Sequence, residues 1–218
     1  MIIAITQRVV ENPSYPDRRD ALGHDWIRAF GEHFPEAVLV PVPNNLPDVS
    51  AWLAAVRPHG IILSNGNDWG DAPERDATET HLYEHALKTN LPLLGVCRGL
   101  QVIHKLTGGE IETSVSDATG HSHTAVRHDI GISTAPFREI AGSGVLTVNS
   151  YHNQGALLSG GVAPEFEVFA TAGDCVEGFA HRSKPVLAIQ WHPERDGGSP
   201  AFDFTVIRKL FTDGAFWT

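Results

Sequence analysis

Leu91-Pro-Leu-Leu-Gly95-Val-Cys97-Arg-Gly99-Leu-Gln101-Val-Ile-His-Lys-Leu-Thr-Gly-Gly109 reads as an apolar strand, a Gly-x-Cys-x-Gly turn and a short helix closed by two glycines. A strand that stops abruptly at one residue, with a glycine two places to either side, lifts that residue's side chain out of the sheet. Here that residue is Cys97. The helix that follows would start at Gly99, so its unpaired N–H groups and positive dipole end face the sulfur and favour thiolate over thiol. The plain alternative is a free cysteine packed in an α/β core. The paired glycines weigh toward a nucleophile.

Upstream of this elbow the chain alternates strand and helix. Met1–Thr6 is an apolar strand, and Gln7-Arg8 leads into a proline-broken loop that holds Tyr15, Arg18 and Arg19. Asp20 can cap a helix whose Leu22, Trp26 and Phe30 fall at i, i+4 and i+8. Ala37–Pro41 and Gly60–Ser64 read as strands, and Asp48–Arg57 and Asp76–Lys88 as helices. This alternation predicts an α/β fold with a parallel sheet and crossover helices. Such sheets bind ligands beyond the carboxyl ends of their strands, where Cys97 and the loop Ser64-Asn-Gly-Asn-Asp-Trp-Gly70 should both fall. Residues that tolerate positive φ let this loop aim its backbone amides at a ligand, although an ordinary turn is the alternative.

Downstream of Gly109 the character changes. Short strands at Val145–Val148, Phe166–Thr171 and Val186–Trp191 are separated by Gly- and Pro-bearing turns, and Ser199–Asp213 reads as a closing helix. The chain of 218 residues, 42% hydrophobic, suits one well-buried core, so residues 1–218 are expected to form a single domain. No repeat or linker divides it. No signal peptide or membrane-spanning run is visible. With only two cysteines a disulfide framework is not expected, which fits a reducing, cytoplasmic setting. A net charge of −10 argues against general nucleic-acid binding.

A thiol nucleophile needs a base. Val186-Leu-Ala-Ile-Gln-Trp191 runs into His192-Pro193-Glu194, and residues two apart at a strand end point to the same side, so Glu194 can orient His192 from behind. An imidazole fixed in one tautomer takes the thiol proton and returns it to the leaving amine. Cys97, His192 and Glu194 thus form a candidate triad, against the alternative of a structural His-Pro turn. Negative charge on the attacked carbonyl oxygen can be met by the backbone N–H of Arg98 and by the loop at Gly66.

Gly95-Val-Cys-Arg-Gly-Leu-Gln101 together with Gln190-Trp-His-Pro-Glu194 resembles the class I glutamine amidotransferase-like superfamily, in particular its gamma-glutamyl hydrolase branch, peptidase family C26. Leu63-Ser-Asn-Gly-Asn-Asp68, Arg75-Asp76 and Val148-Asn-Ser-Tyr-His-Asn-Gln154 extend the resemblance over most of the chain. It implies a flavodoxin-like core, a mostly parallel sheet with flanking helices. It also implies hydrolysis of a small-molecule γ-glutamyl amide through a thioester at Cys97, with Gln101 and the backbone around Tyr151 and His152 near the glutamyl group. Asn65 stands where relatives commonly have glycine, and asparagine is the residue that next best tolerates positive φ.

The amino-terminal stretch Ile5-Thr-Gln-Arg8, Ser14-Tyr15, Arg18 and Asp25-Trp26 is similar to a narrower group, the gamma-glutamyl-CDP-amidate hydrolases of capsular phosphoramidate biosynthesis. A diphosphate leaving group would want guanidinium groups, and Arg8, Arg18 and Arg19 are available; solvated loop charges are the alternative. Two other functions stay open: a glutaminase subunit that delivers ammonia to a separate synthase, and a non-catalytic binding relative.

No cofactor or metal is expected. His81-Leu-Tyr-Glu84-His85 matches a zinc-peptidase pattern, but the same spacing is what an exposed amphipathic helix gives, and no third ligand accompanies it. His121, His123 and His128 read more simply as part of a loop or a substrate-facing strand. Cys175 reads as packed.

Overall fold

The computed structural model describes residues 1–218. In chain order its elements are β1 (Ile2–Thr6), β2 (Arg8–Glu11), β3 (Arg18–Ala21), α1 (His24–His33), β4 (Val38–Val42), α2 (Val49–Val56), β5 (Gly60–Leu63), α3 (Pro73–Thr89), β6 (Leu93–Val96) and α4 (Arg98–Leu106). There follow α5 (Val115–Thr119), β7 (Thr124–Ile132), α6 (Ala135–Ala141), β8 (Val145–Tyr151), β9 (Ala156–Leu157), β10 (Phe166–Ala172), β11 (Cys175–His181), β12 (Val186–Ile189) and α7 (Pro200–Asp213).

One sheet takes the order β4-β1-β5-β6-β12-β11-β10-β7-β8, with β9 paired to β11. The half from β4 to β12 is parallel, as the strand–helix alternation predicts. From β11 outward every pairing is antiparallel; Ala172 and Cys175 pair across a short turn, and α6 lies in the connection from β7 to β8. The sheet is therefore mixed, with its parallel half flanked by helices.

Strands β5, β6 and β12 are buried along their whole length, the signature of a sheet covered on both faces. One core layer packs Trp26 and Phe30 of α1 with Phe202, Phe204 and Leu210 of α7. The other joins Leu53 of α2, Leu82 and Ala86 of α3, and Leu100 and Ile103 of α4. Each fully buried leucine contributes about 1.5–3 kcal/mol of apolar transfer. No helix is long and apolar enough to cross a membrane.

Three local expectations change. Residues 8–21 form the two-stranded β2–β3 hairpin in place of a simple loop. Asp20 caps no helix: α1 begins behind Gly23 without a side-chain cap, and the Asp20 carboxylate accepts instead from the backbone and side chain of Asn44. Helix α3 starts at Pro73, three residues before Asp76, because proline presets a helical φ and lacks the N–H that would go unpaired there.

Candidate active site

Cys97 sits between β6 and α4 with φ 53° and ψ −102°, a conformation an L-residue holds only under strain. Its N–H donates to the Ile189 carbonyl of β12 (2.8 Å), which fixes the elbow to the strand that carries the candidate base. The flanking glycines are required by close approach. A Cβ at Gly99 would stand 2.2 Å from the Leu63 carbonyl oxygen, and one at Gly95 would stand 2.7 Å from the Gly99 carbonyl carbon. Arg98, at the first helical position, offers a backbone N–H with no partner inside the helix.

His192 and Glu194 follow β12, and both are buried. Nδ1 of His192 and Oε1 of Glu194 are 2.8 Å apart. Nε2 of His192 has no other hydrogen-bond partner and faces the sulfur of Cys97. Burial alone would lower the pKa of the imidazole. A Cys97 thiolate and the Glu194 carboxylate outweigh it and raise the pKa to about 9.

Asn149 of β8 holds this turn from the side. Its Oδ1 accepts from the His192 N–H (2.9 Å), and its Nδ2 donates to the carbonyls of His192 (2.8 Å), Arg195 and Asp196 (both 3.2 Å). Trp191 is anchored by Nε1–H donation to Asp203 (2.8 Å), whose buried carboxyl is raised to about 7 because burial disfavours its charge.

The loop at Gly66 is fastened by a buried ion network. Arg75 donates to the Ser64 and Asn65 carbonyls (2.7 and 3.1 Å), to the Asn67 side chain (3.2 Å) and to Glu79 (2.8 Å). Arg98 donates to the Asn67 carbonyl (3.0 Å), to Asp76 (2.6 Å) and to the other oxygen of Glu79 (3.1 Å). Glu79 also accepts from Thr6 (2.8 Å). Burial would raise its carboxyl, but the two guanidinium groups hold it below the ordinary value. Gly66 adopts φ +107°, where side chains are disfavoured, and a Cβ there would come within 2.9 Å of the Arg8 Cβ. Asn65 does not adopt positive φ; its Oδ1 accepts from the Trp26 indole (3.1 Å).

These groups open on a cleft of about 470 Å³ whose lining includes Cys97, Arg98, Gln101, His192, Asn65, Gly66 and Arg8. The opposite rim is Tyr151–Gln154. Gln101 donates to the Gln154 carbonyl (2.9 Å), and the Gln154 amide crosses the mouth to Asp68 (2.8 Å). Tyr151 stands edge-on to His192 and lies under the Arg195 guanidinium, 4.7 Å from the ring centre. His152 lines the cleft, but its ring turns inward toward Glu177.

Arg8 makes no ion pair and faces the cleft. Arg18 and Arg19 do not join it: in the hairpin, Arg18 pairs with Glu11 and Glu74, and Arg19 with Asp17. Their charge is spent on local carboxylates. His81 meets Ser50 (2.9 Å), while Glu84 points to solvent and gathers no ligand set with His85. Cys175 is fully buried, and burial pushes its thiol pKa well up. Asn149, Arg75, Glu79 and the side chain of Arg98 received no role from the sequence, which assigned only the Arg98 backbone N–H. Arg75-Asp76 and Asn149 do lie in stretches that carry the family resemblance, and that was the available signal.

The peptidase C26 family model matches residues 2–194. The chain is 28% identical over 205 residues to gamma-glutamyl-CDP-amidate hydrolase of Campylobacter jejuni, covering 91% of this chain and 92% of that protein. It is 31% identical over 175 residues to gamma-glutamyl-gamma-aminobutyrate hydrolase of Escherichia coli O157:H7, covering 72% and 65%. It is also 31% identical over 158 residues to a glutamine-hydrolysing GMP synthase subunit of Methanococcus aeolicus, covering 70% and 73%. Among solved structures, the glutaminase domain of Trypanosoma brucei CTPS aligns with a TM-score of 0.70 at 15% identity, over 100% of this chain and 96% of that one. A GMP synthase subunit from Thermoplasma acidophilum superposes with a TM-score of 0.69 at 20% identity, over 97% and 92%. The fold is thus that of the glutamine amidotransferase-like proteins. The chain belongs to the peptidase C26 family and is an amidohydrolase of the glutamine amidotransferase and γ-glutamyl hydrolase type.

Proposed function

We propose that the chain is a free-standing cysteine hydrolase of γ-glutamyl amides, with Cys97, His192 and Glu194 as its triad. The observation that carries this reading is the convergence of the strained Cys97 elbow and the Glu194-oriented His192 on one cleft. The Cys97 thiolate attacks the γ-carbonyl carbon. The oxygen takes up the negative charge and is met by N–H groups at Arg98 and Gly66. His192 gives its Nε2 proton to the leaving nitrogen, the C–N bond breaks, and a thioester to Cys97 remains. Neutral His192 then takes a proton from water. The hydroxide oxygen replaces sulfur at the carbonyl, and glutamate leaves as the thiolate–imidazolium pair re-forms. Glu194 keeps Nδ1 protonated throughout, which leaves Nε2 as the shuttling nitrogen. Gln101 and the Tyr151–His152 backbone line the place for the glutamyl moiety.

For the leaving group we favour a nucleotide-linked amide, with gamma-glutamyl-CDP-amidate as the first compound to test and cytidine diphosphoramidate as its product. The near end-to-end match to the Campylobacter jejuni protein supports it. So does Arg8, a cation without a carboxylate partner that lines the cleft. Arg18 and Arg19 belong to the hairpin and are not needed in this scheme. The thiol chemistry suits a cytoplasmic setting. The second reading, a glutaminase subunit that feeds ammonia to a synthase, is favoured by the GMP synthase relative of Methanococcus aeolicus.

The test is to mix the purified chain with glutamine and a panel of γ-glutamyl amides. Glutamate release and an acyl adduct on Cys97 are followed by mass spectrometry. Turnover of the nucleotide-linked amide without any partner, abolished in Cys97→Ser with the fold intact, is the expected result. Turnover of glutamine only after a synthase is added would overturn the hydrolase reading in favour of the second one.

A further inference from the structure

Away from Cys97, the antiparallel half of the sheet encloses a second cluster of reactive groups. His123 precedes β7, His152 follows β8, and Cys175 and Glu177 stand two apart on β11, so that their side chains share one face. All four are buried, and one ligand-capable atom from each lies within 4.8 Å of all the others. Nδ1 of His123 and Nε2 of His152 are 3.5 and 3.6 Å from the same Glu177 oxygen. Neither nitrogen, and neither oxygen of Glu177, has a hydrogen-bond partner. A buried carboxylate left this way is costly.

The second nitrogen of each ring sharpens the problem. Nδ1 of His152 lies 3.0 Å from the Gln154 carbonyl, which can only accept, so this nitrogen carries the proton. The Thr119 hydroxyl spends its one proton on the Val115 carbonyl (2.8 Å) and can therefore only accept from Nε2 of His123 at 3.5 Å. As neutral rings, both histidines then turn a bare lone pair toward a carboxylate oxygen. A proton on either ring would relieve one such contact, whereas a single metal ion satisfies both rings and the carboxylate at once. Tetrahedral zinc, with bonds of about 2.0–2.3 Å, sets its ligands about 3.3–3.8 Å apart. The histidine–carboxylate spacings fall in that range, and the widest pair needs to close by about 1 Å.

We propose that His123 Nδ1, His152 Nε2, the Cys175 sulfur and a Glu177 oxygen form a buried site for a borderline-soft divalent metal of the zinc class. Binding displaces the Cys175 proton to solvent, and the resulting thiolate and the carboxylate balance the ion's two positive charges. Four protein ligands leave no open position, which makes the site structural. The outer contacts are already in place: Gln154 and Thr119 orient the two rings. Nε2 of His128 stands 3.5 Å from the same Glu177 oxygen and can donate to it. Through His152 the ion would brace the Tyr151–Gln154 rim of the cleft. This inference does not depend on the identity of the hydrolysed amide.

The experiment is to produce the whole chain without an affinity tag in medium supplemented with zinc, and separately with cobalt. Metal content is measured by mass spectrometry and the cobalt protein by visible absorption. About one metal ion per chain, with a sulfur-to-cobalt charge-transfer band, is expected for a site of this composition. The band should vanish in Cys175→Ser and persist in Cys97→Ser, which separates this sulfur from the nucleophile. Folding of Cys175→Ser is checked by circular dichroism, and His123→Gln supplies a second variant in which metal content must fall. Below about a tenth of an equivalent of any transition metal in the folded wild-type chain, with no visible cobalt spectrum, the proposal fails and the cluster is an imidazolium–carboxylate assembly.

Discussion

Replacing Glu194 by Gln removes the charge behind His192 while keeping the shape. The pKa of His192 stands at about 9 against an ordinary 6.5, which makes the protonated ring more favourable by about 3 kcal/mol, shared between Cys97 and Glu194 and net of burial. Losing the Glu194 share should bring the basic limb of the pH–rate profile down by about one unit or more, because less alkali then deprotonates the imidazolium. A glutamine can also present its amide N–H to Nδ1, which favours the wrong tautomer. Together these effects predict a fall in kcat/KM of about 10²–10⁴. The assay is glutamate release, coupled to glutamate dehydrogenase, across about pH 6 to 10. A basic limb that stays near 9 with kcat/KM within about threefold of wild type would refute the proposed role of Glu194.

Other perturbations probe the surroundings. Gly99→Ala places a methyl 2.2 Å from the Leu63 carbonyl oxygen, so urea melts should show a loss of about 1–3 kcal/mol together with reduced turnover. The Asp203 carboxyl is raised from 3.8 to about 7, so the native state holds a proton between these values that the unfolded chain has lost. Stability should therefore fall as pH rises from about 4 to 7, and Asp203→Asn should flatten that slope in thermal melts. Arg8→Ala should raise KM for a nucleotide-linked amide roughly tenfold, the worth of one charge-assisted hydrogen bond. It should leave KM for glutamine unchanged, as should Arg18→Ala for both substrates.

The elbow, the His192–Glu194 pair and the parallel half of the sheet were legible because each is written in a short stretch. Glycine spacing reports the turn at Cys97, and a strand running into His-Pro-Glu reports the proposed base and its partner. Uninterrupted apolar runs report β5, β6 and β12. What escaped is set by contacts between distant positions. Asn149 acts on His192 and Asp196 from another strand, and Arg98 reaches back to Glu79 and Asp76 across the α3–α4 packing. No local pattern encodes such pairings. The β2–β3 hairpin was hidden because its strands are largely polar and exposed, and part of its support comes from the Asn67 amide, which bonds both polar groups of the Val9 backbone. The three histidines that face Glu177 sit at positions 123, 128 and 152, a grouping visible only once β7 and β8 pair.

Arg98 has a consequence of its own. Its backbone N–H is one proposed donor to the oxyanion, and its guanidinium holds the Asn67 carbonyl, one residue past the other proposed donor at Gly66. A single side chain is thus a strut between the two donors, so their separation does not depend on two loops finding their places independently. Thermal displacement of one should carry the other with it. Warming or mild denaturant should then silence the hole in one step, and variants that loosen the strut should lose turnover while substrate still binds.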